Sequence, residues 1–186
     1  MTRALAPAIV TAAIVAVLVA ALLATGHPPI CPCGSVKLWH GANAGPGSSQ
    51  HLTDWYTPSH VIHGLFFYWL LWLTVPRLSF GWRLAIATAI EVAWEIVENS
   101  PWVIDRYRQV TISYDYFGDR VINSVMDVLA MMLGFWLAAW LPVWLSLALV
   151  VGAELVTGLM IRDGLILNVI MLIWPIEAIR VWQAGG

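Results

Sequence analysis

Apolar residues run along this chain in long stretches, and short clusters of Gly, Pro and charge separate them. The first stretch, Ala8 to Ala24, holds no charged residue and follows Arg3. A cleaved secretory signal has a similar shape, with an apolar core of about 7–15 residues. The run here is longer, which favours an uncleaved first span over a signal ending near Ala24. The second stretch opens at Thr57-Pro58, a predicted N-cap and first helical residue, and closes near Pro76. The third extends from about Trp82 to Glu98, where Asn99-Ser100-Pro101 breaks it. Proline cannot continue the backbone ladder and it restricts the residue before it. The fourth runs from about Arg120 to Leu141 and the fifth from about Val143 to Met160, with a lone Glu154. The sixth runs from about Leu165 to Trp182 and carries Asn168, Pro175, Glu177 and Arg180. Each approaches the roughly 20 residues that cross a bilayer. The predicted fold class is all-α: a polytopic transmembrane helix bundle of about six spans with a short interfacial helix. It forms a single integral membrane domain over 1–186 with both termini on one side.

Two polar segments interrupt this pattern. Residues 26–57 read as an extramembrane loop, and all five His and both Cys fall between His27 and His63. A soft-metal site through His27, Cys31 and Cys33 is conceivable. The Cys-x-Cys spacing is not that of a structural zinc site, and one such pair is no disulfide framework. The favoured reading is a solvated loop with two incidental thiols. Residues 99–119 mix Asp105, Arg106, Arg108, Asp115 and Asp119 with aromatic residues, as an amphipathic segment on a membrane surface does.

Composition agrees that lipid is the main solvent. The chain is 60% hydrophobic and 11% charged, where a soluble domain averages about 25% charged. Its mean hydropathy is +0.78. Twelve Trp suit the two membrane interfaces. A net charge of −2 with no basic stripe argues against nucleic acid as a partner and leaves membrane lipid. Arg and Lys divide almost evenly between the two sides, so they do not orient the bundle. The short tail before a signal-like span places the N-terminus inside.

The polar residues inside the stretches carry the candidate chemistry. Glu91, Glu95 and Glu98 are spaced i, i+4, i+7 and share one helix face. A single acid at the centre of a membrane helix costs roughly 2.5–3.5 kcal/mol even on mild scales. His60 and His63, at i, i+3, share another face, and Asp119, Asn123 and Asp127 share a third. If spans alternate in direction, these groups meet at one end of the bundle, with Glu91 roughly 10 Å below Glu98. The candidate catalytic residues are Glu95, Asp127, His60, His63, Glu91, Glu98 and Asn123. His60, His63, Glu91 and Glu95 form a candidate divalent-metal set, since His and carboxylates suit zinc, iron or manganese. The other chemistry open to them is general acid/base work by a buried carboxylate with a His partner.

Several motifs carry a family resemblance. They are Asp54-Trp55-Tyr56-Thr57-Pro58-Ser59-His60-Val61-Ile62-His63-Gly64, Trp94-Glu95-Ile96-Val97-Glu98-Asn99-Ser100-Pro101 and Ile104-Asp105-Arg106-Tyr107-Arg108. Asp115-Tyr116-Phe117-Gly118-Asp119, Asn123-Ser124-Val125-Met126-Asp127, Ile161-Arg162-Asp163 and Pro175-Ile176-Glu177-Ala178-Ile179 complete them. Over about Gln50 to Trp182 the chain resembles a family of bacterial multi-pass inner-membrane proteins of unknown function. That resemblance implies a cell inner membrane location and a multi-pass topology, and it supplies no activity. Asn123 to Gly134 is also similar to a polar-start helix of VanZ-like membrane proteins. It resembles faintly the Asn-x-x-x-Asp segment of lipoprotein signal peptidases, whose second Asp motif has no counterpart here.

The expected function is therefore a membrane enzyme acting on a lipid-linked or envelope substrate through a polar His/Glu/Asp pocket at one membrane face. The alternative is a non-catalytic protein that binds lipid, an ion or an assembly partner. A third reading treats the polar groups as interhelical glue, which averages only about 0.6 kcal/mol per hydrogen bond.

Overall fold

A computed structural model describes residues 2–42, 45 and 47–185. Met1 and Gly186, the expected ends of the domain, lie outside the described residues. The described chain is all-helical apart from one short strand pair. Its helices are α1 (Thr2–Ala24), α2 (Thr57–Thr74), α3 (Phe80–Glu98), α4 (Pro101–Val110), α5 (Val121–Trp140), α6 (Val143–Ile161), α7 (Leu165–Ile173) and α8 (Glu177–Gln183). Strands β1 (Trp39–His40) and β2 (Thr53–Asp54) pair in parallel within the long loop.

Among the described residues, three helices are long and apolar enough to cross a membrane: α1 over Leu5–Ala24, α5 and α6. Helices α2 and α3 are of similar length, 18 and 19 residues. They differ by carrying the His pair and the three Glu. The core is built where four helices meet. Leu18 and Leu22 of α1 pack with Val92 of α3 and with Val121 and Val128 of α5. Leu71 of α2, Ala87 of α3, and Met131 and Phe135 of α5 form a second buried cluster.

The crossing of α2 and α5 is set by two glycines. A Cβ on Gly64 would run into the Met131 carbonyl, and one on Gly134 into the Val61 carbonyl. Only residues without side chains allow the two backbones to touch in this way. The contact lies one turn from His60 along α2 and two turns from Asp127 along α5, so it fixes how closely those side chains face.

Helix starts differ from expectation in one place. The N-cap of α2 is Tyr56, not Thr57. Thr57 is already helical, and its hydroxyl accepts from the Asp54 amide at 3.0 Å. The break at Asn99-Ser100-Pro101 also starts α4, with the Ser100 hydroxyl accepting from the Val103 amide.

The continuous helix expected from about Leu165 to Trp182 is broken at Pro175. Trp174 is held in an extended conformation, as a residue before proline is. At nine residues, α7 is about 14 Å long, well short of the roughly 30 Å hydrocarbon core. The chain then turns back. Gln183 at the end of α8 donates to Asp163 at the start of the segment at 3.1 Å, and Arg162 donates to the Trp182 carbonyl at 3.0 Å. Residues 162–183 thus form a hairpin whose two ends meet. The expected sixth span is therefore not one continuous helix. Glu154 of α6, which the sequence left unexplained, accepts from the Leu165 and Ile166 amides at 2.9 and 3.1 Å, satisfying the free first turn of α7.

Candidate functional site

The Glu stripe of α3 faces the His pair of α2. His60 Nδ1 lies 2.6 Å from Glu91 Oε1, and His63 Nδ1 lies 3.0 Å from Glu91 Oε2. Glu91 is fully buried, so a single carboxylate receives both imidazoles. With Nδ1–H of each ring donated to Glu91, each Nε2 is left with its lone pair. His60 Nε2 then looks toward Asp127 Oδ2 of α5 at 3.9 Å, too far for a hydrogen bond. Asp127 Oδ1 accepts from the Thr57 hydroxyl at 3.4 Å.

Glu95 is the exception in this cluster. It is fully buried, its Oε1 is 3.5 Å from His60 Nδ1, and neither of its oxygens has a hydrogen-bond partner. Asn123, one turn before Asp127, is also buried with its amide nitrogen unpartnered.

Glu98 leaves the cluster. The helix ends there, and the Tyr107 hydroxyl of α4 donates to Glu98 at 2.8 Å. A neighbouring knot forms around Asp119. It accepts from Asn99 Nδ2 at 3.0 Å and from the Tyr116 hydroxyl at 3.1 Å, while its amide donates to Asn99 Oδ1 at 2.6 Å. Burial pushes the Asp119 carboxyl above its ordinary range, against the Asn99 and Tyr116 donors. The phenols of Tyr107 and Tyr116 are raised as well, by burial and then by the acids beside them.

The long loop is not merely solvated. Ser49, Gln50, His51 and Asp54 are buried. The Pro28 and Pro29 carbonyls accept from the Val121 and Ile122 amides, so the loop caps the start of α5. His27 sits between the Asp119 and Asn99 carbonyls, at 3.0 and 3.2 Å, so both its ring nitrogens are engaged by the backbone. Cys31 and Cys33 are not free thiols but are bonded to each other. Asp54 accepts from the Ser49 and Tyr56 amides, which shapes the turn into α2.

These elements enclose a cavity of about 180 Å³. His60, His63 and Asp127 line it, as do Glu98, Asp119 and Tyr107. Leu165, Asn168 and Leu172 of α7 line it too, and Arg106 of α4 donates to the Leu172 carbonyl at 3.0 Å. Asp54 and Asp115 add further acid, and among the described residues that line the cavity there is no Lys or Arg. An anionic phosphate entering alone meets several carboxylates and no Lys or Arg among the described lining residues.

The structure thus brings His60, His63, Glu91, Glu95 and Asp127 together. It keeps Asn123 buried near them and turns Glu98 toward Tyr107. Of the four residues expected as metal ligands, Glu91 is occupied by two imidazoles. Sequence reasoning set Asp163 at the same end of the bundle and passed over Tyr56, Asn99, Tyr107 and Tyr116. Their only signal was membership of the same polar motifs, where they read as interfacial aromatics and a helix breaker.

Comparison with known proteins places relatives along nearly the whole chain. A family model described as "Protein of unknown function (DUF2585)" matches residues 22–185. A UPF0314 protein of Paracoccus denitrificans is 64% identical over 184 residues, covering 99% of this chain and 95% of the relative. A UPF0314 protein of Rhizobium etli is 53% identical, covering 93% of this chain and 90% of the relative. One from Sphingopyxis alaskensis is 52% identical, covering 96% and 95%. No solved structure matches the chain.

Proposed function

The chain belongs to this bacterial family of unknown function, and from its geometry we propose a multi-pass inner-membrane enzyme that acts on a lipid-linked or envelope substrate by general acid/base chemistry. Helices α1, α2, α3, α5 and α6 cross the bilayer in this reading, and the α7–α8 hairpin lies in the interface beside the cavity. Broad apolar surfaces on α1 and α6 support it, because Leu5, Ile9, Val17, Leu147, Leu155 and Leu159 are all exposed. In water such faces are unfavourable, and in lipid they are at rest.

One observation carries the chemical assignment. Glu91 holds the Nδ1 side of His60, so Nε2 is free to take a proton while facing Asp127 and the cavity. A carboxylate behind an imidazole fixes its tautomer and steadies the imidazolium that forms, as in other acid/base pairs. His60 is the base, Asp127 the group that shares its proton, and Glu91 and His63 position the ring. The substrate's reacting group is a hydroxyl or an amine rather than a bare phosphate, since the lining offers no cation of its own. A second reading, binding without chemistry, draws on Glu95, whose unpartnered carboxylate suits a bound ion.

The test compares lipid extracts of a deletion strain carrying wild type or Asp127→Asn at matched membrane abundance. Wild type should remove a lipid-linked species that accumulates in the deletion, and Asp127→Asn should fail to do so by at least tenfold. Full restoration by Asp127→Asn overturns the assignment. Reporters placed at Gly47 and after Gln183 in the same strains should fall on the same side of the membrane. Opposite sides would overturn the five-crossing arrangement.

A further inference from the structure

We propose that His60, Glu95 and Asp127 form a binding site for one divalent transition-metal ion, with Glu91 and His63 as its outer support. The inference uses His60 and Asp127 of the proposed site with Glu95 behind them, and an ion held there would take the place of the proton that His60 and Asp127 share in that reading.

Three observations converge on it. His60, Glu95 and Asp127 each offer a ligand atom, and these atoms all lie within 4.8 Å of one another. Glu95 is fully buried, yet neither carboxylate oxygen has a hydrogen-bond partner among the described residues, His60 Nδ1 being 3.5 Å away and given to Glu91. An isolated buried carboxylate is expensive, and native interiors pair such groups or use them to hold metals. Finally, His60 Nε2 and Asp127 Oδ2 lie 3.9 Å apart, and in a neutral ring whose Nδ1–H is donated to Glu91 both atoms are electron-rich. Two electron-rich atoms repel at that distance unless a proton or a cation joins them. Ligands about 2.1 Å from an ion can be separated by up to about 4.2 Å, so the gap accepts one.

The support around the site is what a metal-bound imidazole requires. Metal-ligating His nearly always donates its other ring N–H to a carboxylate, which fixes the tautomer and strengthens the ligand. The 2.6 Å contact between His60 Nδ1 and Glu91 has this form. His63 anchors the far oxygen of Glu91 at 3.0 Å, so the support is itself held. One nitrogen and two carboxylates suit zinc, manganese or iron rather than a soft cuprous ion. The set differs from the one expected from sequence, because Glu91 and His63 move to the second layer and Asp127 enters.

The structure also separates this triple from a neighbouring one. Glu95, Glu98 and Asp119 lie equally close together. In that group Glu98 already accepts from Tyr107, and Asp119 accepts from Asn99 and Tyr116. Glu95 is common to both triples, and the two acids that complete the second already have donors, so one ion is expected and not two. A bound dication would also supply the positive charge that the cavity lining lacks. It would let a phosphate-bearing lipid headgroup enter where carboxylates alone repel it.

The experiment measures metal in detergent-purified, full-length protein. The protein is stripped with chelator, dialysed, and titrated with Zn²⁺, Mn²⁺ and, as a spectroscopic probe, Co²⁺. Wild type should bind one equivalent with a dissociation constant in the micromolar range or tighter, and Co²⁺ should give visible bands of a low-coordinate site. Glu95→Gln and Asp127→Asn should each weaken binding at least tenfold, while Glu98→Gln should bind as wild type does. Glu91→Gln should bind more weakly by about ten- to a hundredfold, the usual effect of losing an outer-layer partner. Far-UV circular dichroism and thermal unfolding of the stripped variants identify any that fail to fold, and Glu95→Gln and Asp127→Asn each test the site separately. No stoichiometric binding by wild type overturns the proposal, as does equal binding by Glu95→Gln and Asp127→Asn. Two equivalents, or loss of binding in Glu98→Gln, overturns the assignment to this triple. Metal binding that persists alongside unchanged lipid extracts rejects the enzyme reading and leaves the metal site standing.

Discussion

Asp163 and Glu95 are both buried carboxylates, at 2% and 0% exposure, and they are treated in opposite ways. Asp163 accepts from four donors: the Gly164 amide at 2.9 Å, Asn168 at 3.0 Å, Gln183 at 3.1 Å and the Tyr56 hydroxyl at 3.2 Å. These come from α7, α8 and the approach to α2, so one side chain ties three segments together. Glu95 lies deep in the helix bundle and accepts from none. A buried acid surrounded by donors is explained by the fold it holds. A buried acid without donors is not, and its counterpart must come from a proton or from outside the chain. The first belongs to architecture, and the second is where we propose a function.

The largest effect should come from removing the satisfied acid. Asp163→Ala leaves the Tyr56, Asn168 and Gln183 donors buried without an acceptor and frees the hairpin. Each such loss costs about 1–3 kcal/mol, and a broken buried network typically about 3–5 kcal/mol in total. Thermal unfolding in detergent and membrane abundance should both fall sharply. A loss under about 1 kcal/mol would show that Asp163 does not hold the hairpin and would dissolve the contrast with Glu95.

A smaller effect should appear in the pH dependence. Burial pushes Asp163 up to about 6, although Gly164, Tyr56 and Asn168 hold it down. The folded state therefore holds its proton more tightly than the unfolded chain does. Its contribution is complete below the ordinary carboxylate range near pH 4 and is lost as pH rises through about 6. Asp163→Asn does not titrate, so the difference between wild type and variant should change by on the order of 2 kcal/mol between pH 4 and pH 7 and be flat above. Parallel unfolding curves for the two proteins across that window would place the proton elsewhere.

This contrast also marks what the sequence discloses. The Glu91/Glu95/Glu98 stripe and the His60/His63 pair follow from helical period alone, because i, i+3, i+4 and i+7 define a face before any partner is known. Gly134 was readable as a packing position, but Gly64 was not, since a close crossing shows itself only when both backbones are present. The division of labour within the stripe was hidden for the same reason. That Glu91 takes two imidazoles and Glu98 a tyrosine depends on which helices stand opposite. The Asp163 knot joins residues up to 107 positions apart, and no local period carries that information. The hairpin was the reverse case. Pro175 was in plain view, and total apolarity over 165–182 outweighed it, whereas the backbone obeyed the proline.

The smallest effect on stability should come from the unsatisfied acid itself. Glu95→Gln keeps the shape of the side chain and removes only its capacity for charge. If Glu95 were structural glue, the variant would lose donors that pointed at its oxygens, and stability would fall by about 1–3 kcal/mol. No such donors are found among the described residues. The expected result for chelator-stripped protein is therefore a melting temperature equal to that of wild type or slightly higher. A buried group without compensation is being replaced by a neutral one, and exchanges of that kind are often neutral or stabilising. The two proteins should then separate when Zn²⁺ or Mn²⁺ is added. A ligand that binds only the folded state raises the unfolding temperature in proportion to its affinity, so wild type should climb and Glu95→Gln should stay. A stripped variant that melts well below wild type would mean that Glu95 has donors after all. It would then be a second Asp163, and the distinction between an acid that builds the fold and an acid that waits for a cation would fall.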